Sequence, residues 1–179
     1  ILSSLVFGQV TLSQSSPEIN WKEINTPSFK IIYPDYIEHK AQYVYKLLNH
    51  YKKNVGTTFN LVPEKFTLII RPEYSIPNGF VTLAPKRSEW YSNANITPNI
   101  SSLEWYQTLA IHEYRHVIQF QNLKKNHMKI AYYLFGELGS SFVNFVTQPK
   151  WFFEGDAVWA ETKYTDGGRG RSPRFSARL

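Results

Sequence analysis

The 179-residue chain contains no cysteine. That excludes disulfide staples, thiolate metal sites and cysteine nucleophiles. It has no run of 18 or more apolar residues, so no segment reads as a membrane-spanning helix. Charge is sparse at 19% against 42% hydrophobic residues, which excludes a disordered chain. Also missing is a stripe of Lys and Arg interleaved with aromatics. The excess behind the net charge of +6 sits mostly at the end, where Lys163, Arg169, Arg171, Arg174 and Arg178 meet only Asp166. A nucleic-acid partner is therefore not expected.

What the chain does have is aromatic bulk, with 12 Tyr, 12 Phe and 5 Trp, and a length that suits one domain with a real core. Residues 1–8, ILSSLVFG, look like the end of an apolar signal-peptide core. Val6 and Gly8 occupy the small-residue positions before a cut at Gln9. Export is the expected fate, to a periplasmic, cell-surface or secreted location.

Periodicity supplies the elements. Phe29–Tyr33 and Phe66–Arg71 are short apolar β-type runs, each closed by a proline. Between them Ile37, Ala41, Val44, Leu48, Tyr51 and Val55 draw one helical stripe, opened by Asp35 and stopped by Gly56. After the turn signal Pro77-Asn78-Gly79, Phe80–Ala84 alternates as a third strand, and 85–100 reads as a polar loop. Ser101 and Glu104 have capping-box spacing and predict a helix over 103–121. A Gly-interrupted apolar stretch predicts another over 128–146, and Pro149 opens a last helix over KWFFEGDAVWAETKY. The order is βαββ, then helices.

The predicted 103–121 helix carries His112, Glu113 and His116, the pattern H-E-x-x-H. Residues i and i+4 lie one turn apart on one face, so the two imidazoles can share an ion. Glu113 sits beside the pair, angled to reach a water rather than the metal. A catalytic site of this kind needs a third protein ligand and an open fourth position. The route through a downstream Gly and His is closed, because those positions hold Gln119 and Asn122. A glutamate from a later helix is the other route, and Glu137, Glu154 and Glu161 are available. Asp156 lies on nearly the opposite helix side from Glu154, so both cannot face one metal.

H-E-x-x-H followed 38 positions on by W-F-x-E-G-x-A-x-x-x-E resembles the zinc signature of gluzincin metallopeptidases, most nearly the bacterial peptidase MA-like group. The resemblance spans about residues 28–165. It implies an α+β, zincin-like domain of thermolysin type, with a small mixed sheet (βαββ) packed on an active-site helix followed by two further helices. It implies Zn2+ on His112, His116 and Glu154, with Glu113 as general base. Glu161, seven residues after Glu154, is a candidate to accept a free imidazole N–H. Tyr132, Tyr133 and Tyr164 are oxyanion-donor candidates by residue type. Phe80, Val81, Thr82, Leu83 and Ala84 could pair with an extended peptide or protein substrate.

The expected organisation is therefore a signal remnant over 1–8, an N-terminal segment over 9–27 and a peptidase-like domain over 28–164. A Gly/Arg-rich segment, 165–179, follows. It reads as a loosely packed linker, with an arginine clamp over the cleft as the other reading. Proteins resembling this one often carry a β-propeller next. The expected function is that of a secreted zinc endopeptidase. The alternative is a non-catalytic binding or scaffold domain that keeps the gluzincin fold.

Overall fold

The computed structural model describes residues 15–83, 85–93, 103–125, 133, 136 and 149–173. Strict alternation builds the centre of the sheet. In Phe66–Arg71, every second side chain (Phe66, Leu68, Ile70) is buried and the others are half-buried. Phe29, Ile31 and Tyr33 do the same one strand away. Each strand thus has one apolar face, and those faces must be covered.

Five strands form the sheet: β1 (Trp21–Asn25), β2 (Phe29–Pro34), β3 (Phe66–Arg71), β4 (Gly79–Leu83) and β5 (Lys86–Tyr91). Their spatial order is β1-β2-β3-β5-β4. The middle pairs, β2 with β3 and β3 with β5, are parallel, and both outer pairs are antiparallel. β4 is consequently the last strand, joined to β5 by a tight hairpin.

Three helices are described: α1 (Glu38–Gly56), α2 (Trp105–Lys125) and α3 (Lys150–Tyr164). α1 buries Ala41, Val44, Leu48, Tyr51 and Val55, the predicted stripe. Gly56 ends it where a Cβ would lie 2.2 Å from the Leu61 carbonyl oxygen, a distance only glycine tolerates. Phe29 touches Tyr45 of α1 and Tyr114 of α2 edge-on, so both helices cover the same sheet face. α2 runs through the middle, with α1 on one side and α3 on the other. Every residue from Leu109 to Gln119 is buried.

The α+β class and the single sheet containing all three predicted strands are as expected. Two strands are additional. β1 is an exposed outer ribbon, and β5 replaces the expected polar loop over its length. β5 inserts between β3 and β4 because its polar residues are paired. Glu89 receives Arg71 Nε at 2.8 Å and Arg87 Nε at 2.6 Å, while Trp90 is fully buried and donates to Ser88 Oγ.

The predicted cap of α2 also differs. Glu104 itself caps the helix, its carboxylate accepting the Gln107 N–H at 3.1 Å. Ser101 lies outside the described residues. So do residues 1–8, Ala84, Glu137, all of 128–146 except Tyr133 and Gly136, and 174–179. Over 165–171 the loose linker is not what folds. The chain turns back onto α3, where a Cβ on Gly168 would collide with the Glu161 carbonyl and one on Gly170 with Thr162. Arg171 donates to the Thr165 and Thr162 carbonyls. Among the described residues no helix is long and apolar enough to cross a membrane.

Candidate metal centre

Helical spacing on α2 stacks His112 and His116 with their Nε2 atoms 3.2 Å apart. Glu154 approaches from the first turns of α3. Its Oε2 lies 3.2 Å from His112 Nε2, and its Oε1 lies 3.8 Å from His116 Nε2. One ligand atom from each of the three falls within 4.8 Å of the others, a group able to hold a metal ion.

Each imidazole is aimed by a partner on its other nitrogen. His112 Nδ1 lies 2.7 Å from Glu161 Oε1. Glu161 is fully buried and is gripped by Arg169, whose Nε donates at 2.9 Å and whose Nη2 reaches the same carboxylate. That Nη2 is also 2.6 Å from His112 Nδ1. Arginine only donates, so a proton on Nδ1 can go to Glu161 alone. On the second histidine, Nδ1 lies 2.7 Å from Gln119 Oε1.

The charges follow from this crowding. Burial works against charge on His112, but its bonds to Glu154 and Glu161 prevail and raise its pKa to about 9. For His116, burial and the neighbouring His112 charge act together and lower it to about 4. Glu154 is held down to about 2, chiefly by its bond to His112. Burial pushes Glu161 upwards, yet the Arg169 and His112 bonds keep it below the ordinary carboxylate value. Glu113 goes the other way. Buried, with no partner on Oε2, it is raised to about 7.

Glu113 also touches the sheet. A Cβ on Gly79, the first residue of β4, would lie 3.2 Å from Glu113 Oε1 and 3.1 Å from its Cγ. The terminal strand therefore begins against this carboxylate. Of its predicted substrate-facing residues, Phe80, Val81, Thr82 and Leu83 lie on β4. Of the three tyrosines, Tyr132 lies outside the described residues and Tyr133 is 82% exposed. Tyr164 packs against the core, edge-on to Trp159.

Three positions assumed importance only in three dimensions. Asp156 stands outside the group of His112, His116 and Glu154 and pairs with Arg115 through two bonds of 2.7 and 2.8 Å. Gln119 stands behind His116. Arg169, in the segment expected to pack loosely, locks Glu161. The i+3 spacing of His116 and Gln119 was the one local signal available. Comparison with known family models, curated proteins and solved structures finds no match.

Proposed function

We propose that this chain is a zinc-dependent hydrolase of peptide bonds, exported from the cell, with His112, His116 and Glu154 as ligands and Glu113 as base. The observation that carries the reading is Glu113. It is a buried carboxylate with an unpartnered oxygen, beside a two-histidine, one-carboxylate group and against the terminal strand. A domain that only bound a partner would have no use for so costly a group.

The donor set suits zinc. A tetrahedral ion with bonds of about 2.0–2.1 Å sets its ligand atoms roughly 3.3–3.4 Å apart; the Nε2–Nε2 and His112 Nε2–Oε2 separations are both 3.2 Å, and Glu154 Oε1 stands wider, 3.8 Å from His116 Nε2. Zinc when bound supplies Lewis-acid chemistry, polarising a carbonyl and drawing the pKa of water towards neutrality. The protein's own groups do the rest. Glu161 and Gln119 orient the imidazoles, and Arg169 fixes Glu161. Glu113 accepts the proton of the attacking water and passes it to the departing amine. An extended peptide laid along β4 would bring its carbonyl past that carboxylate, which favours substrates by backbone shape more than by sequence.

The test is zinc content and peptide cleavage for the wild type and Glu113→Gln. The variant should keep its zinc and lose at least roughly 10²-fold in kcat/KM. His116→Ala should lose both. A Gln variant that cleaves normally would remove Glu113 from its role, and a zinc-loaded wild type that cleaves no peptide would make the chain a binding domain.

A further inference from the structure

We propose that Gln119 is a positioning residue that fixes the proton of His116 on Nδ1, and that a buried chain of polar groups reaching back to α1 enforces the choice. This rests on the metal-site reading and adds to it what sets the second ligand's tautomer.

The argument begins with the two ends of an amide. Gln119 Nε2 lies 2.6 Å from Asp156 Oδ2 and 3.0 Å from the Phe153 carbonyl oxygen. Both are acceptors, so the NH2 end must face them; turning the amide over would set three oxygens against one another. Oε1 is left facing His116 Nδ1 at 2.7 Å. Because Oε1 can only accept, Nδ1 carries the hydrogen. The lone pair of the neutral ring is then on Nε2, the nitrogen beside His112 Nε2 and Glu154.

Asp156 is itself held. Arg115 donates to its two oxygens from Nε and Nη2 in the paired geometry that fixes a carboxylate in plane. Arg115 is 1% exposed and is anchored by the Val55 carbonyl, by Thr58 Oγ1 at 2.6 Å and by the Phe59 ring 4.3 Å below its guanidinium. The order runs from the end of α1 through Arg115, Asp156 and Gln119 to His116. Two ligands on one helix are thus aimed by unlike devices. His112 leans on a carboxylate held by Arg169, and His116 on a neutral amide. A free imidazole has no such fixed tautomer.

The experiment uses the 179-residue chain with ¹⁵N-labelled histidine. Ring-nitrogen shifts of His116 are read without metal at pH 8, and Zn2+ affinity is read by competition with a chelating dye. Wild type should show His116 protonated on Nδ1. Gln119→Met, which has no acceptor at Oε1, should lose that preference and bind Zn2+ about 10- to 100-fold more weakly. A role in packing alone would not move a tautomer. If the Met variant fails to fold, the wild-type spectrum decides. A wild-type His116 protonated on Nε2, or a folded Met variant with unchanged tautomer and affinity, overturns the proposal. A wild type that takes up no Zn2+ while its tautomer still responds to Gln119→Met sinks the metal reading and leaves this assignment standing.

Discussion

Replacing Gly79 with alanine tests whether β4 holds Glu113 in place. The new methyl would lie 2.5 Å from Leu109 Cδ2 and 3.1 Å from Glu113 Cγ. Carbon contacts are comfortable at about 3.5–4.0 Å, so the shortfalls are about 1 Å and 0.4 Å. Leu109 is buried on the inner face of α2 and has little room to swing. An off-rotamer leucine costs roughly 1 kcal/mol, and overpacking of a filled core typically about 1–3 kcal/mol. A destabilisation near 2 kcal/mol follows, or a Tm lower by about 4–8 °C at this chain length. The functional effect is separable. None of the three ligands is among the atoms struck, so zinc content should hold, whereas Glu113 is displaced. Misplacement of a reacting group by 1 Å costs on the order of 10²-fold, so a shift of a few tenths should lower kcat/KM about tenfold. Calorimetry, metal analysis and a peptide-cleavage assay on one preparation check all three. An alanine variant with unchanged Tm and unchanged cleavage would refute the reasoning.

Gly155→Ala is the contrasting substitution. Its Cβ meets no described atom within 4 Å, so α3 should gain up to about 1 kcal/mol from helix propensity, seen as a raised Tm. Arg169→Met strands the buried Glu161 carboxylate. Because Arg169 is partly exposed, the loss should lie near the lower end for a broken buried pair, about 3 kcal/mol, and a melt shifted by less than about 2 °C would contradict it. Zinc uptake should depend on pH through His112. Its proton, held up to about pH 9 in the metal-free site, must leave Nε2 before the ion can bind, while His116, lowered to about 4, is already neutral. Affinity should therefore rise about tenfold per pH unit from roughly pH 5 to 8 and flatten above 9. Calorimetry in buffers of different ionisation enthalpy should find about one proton released near pH 7, and finding none would contradict the His112 assignment.

The candidate ligand group was legible because each part carries its own short-range signal. His112 and His116 are one turn apart, Glu154 lies in an apolar helix that a buried carboxylate would otherwise disfavour, and Glu161 returns to the same face two turns later. The apolar strands were legible for a similar reason, since Phe66, Leu68 and Ile70 alternate without interruption. KRSEWY has no such pattern. Its burial depends on Arg71 arriving from β3 to neutralise Glu89, a fact about pairing and not about the six residues themselves. Gln119 and Arg169 were opaque on the same grounds. An amide and a guanidinium acquire direction only from partners 37 and 8 residues away. In a segment as rich in glycine and arginine as 167–171, composition favours an extended linker, and the contacts that fold it back lie along α3.

The approach of Glu154 to His112 joins positions 42 apart in sequence. An ion seated there would tie α2 to α3 across a loop of some forty residues. Because the unfolded chain has no such site, the free energy of binding would add to that of folding. With free ion about a thousandfold above its dissociation constant that is about 4 kcal/mol, comparable to a disulfide in a sequence that has no cysteine to make one. The difference is reversibility. A disulfide yields to reductant, whereas this link would yield to a chelator or to acid, so the same conditions that removed the ion would also loosen the packing of its helices.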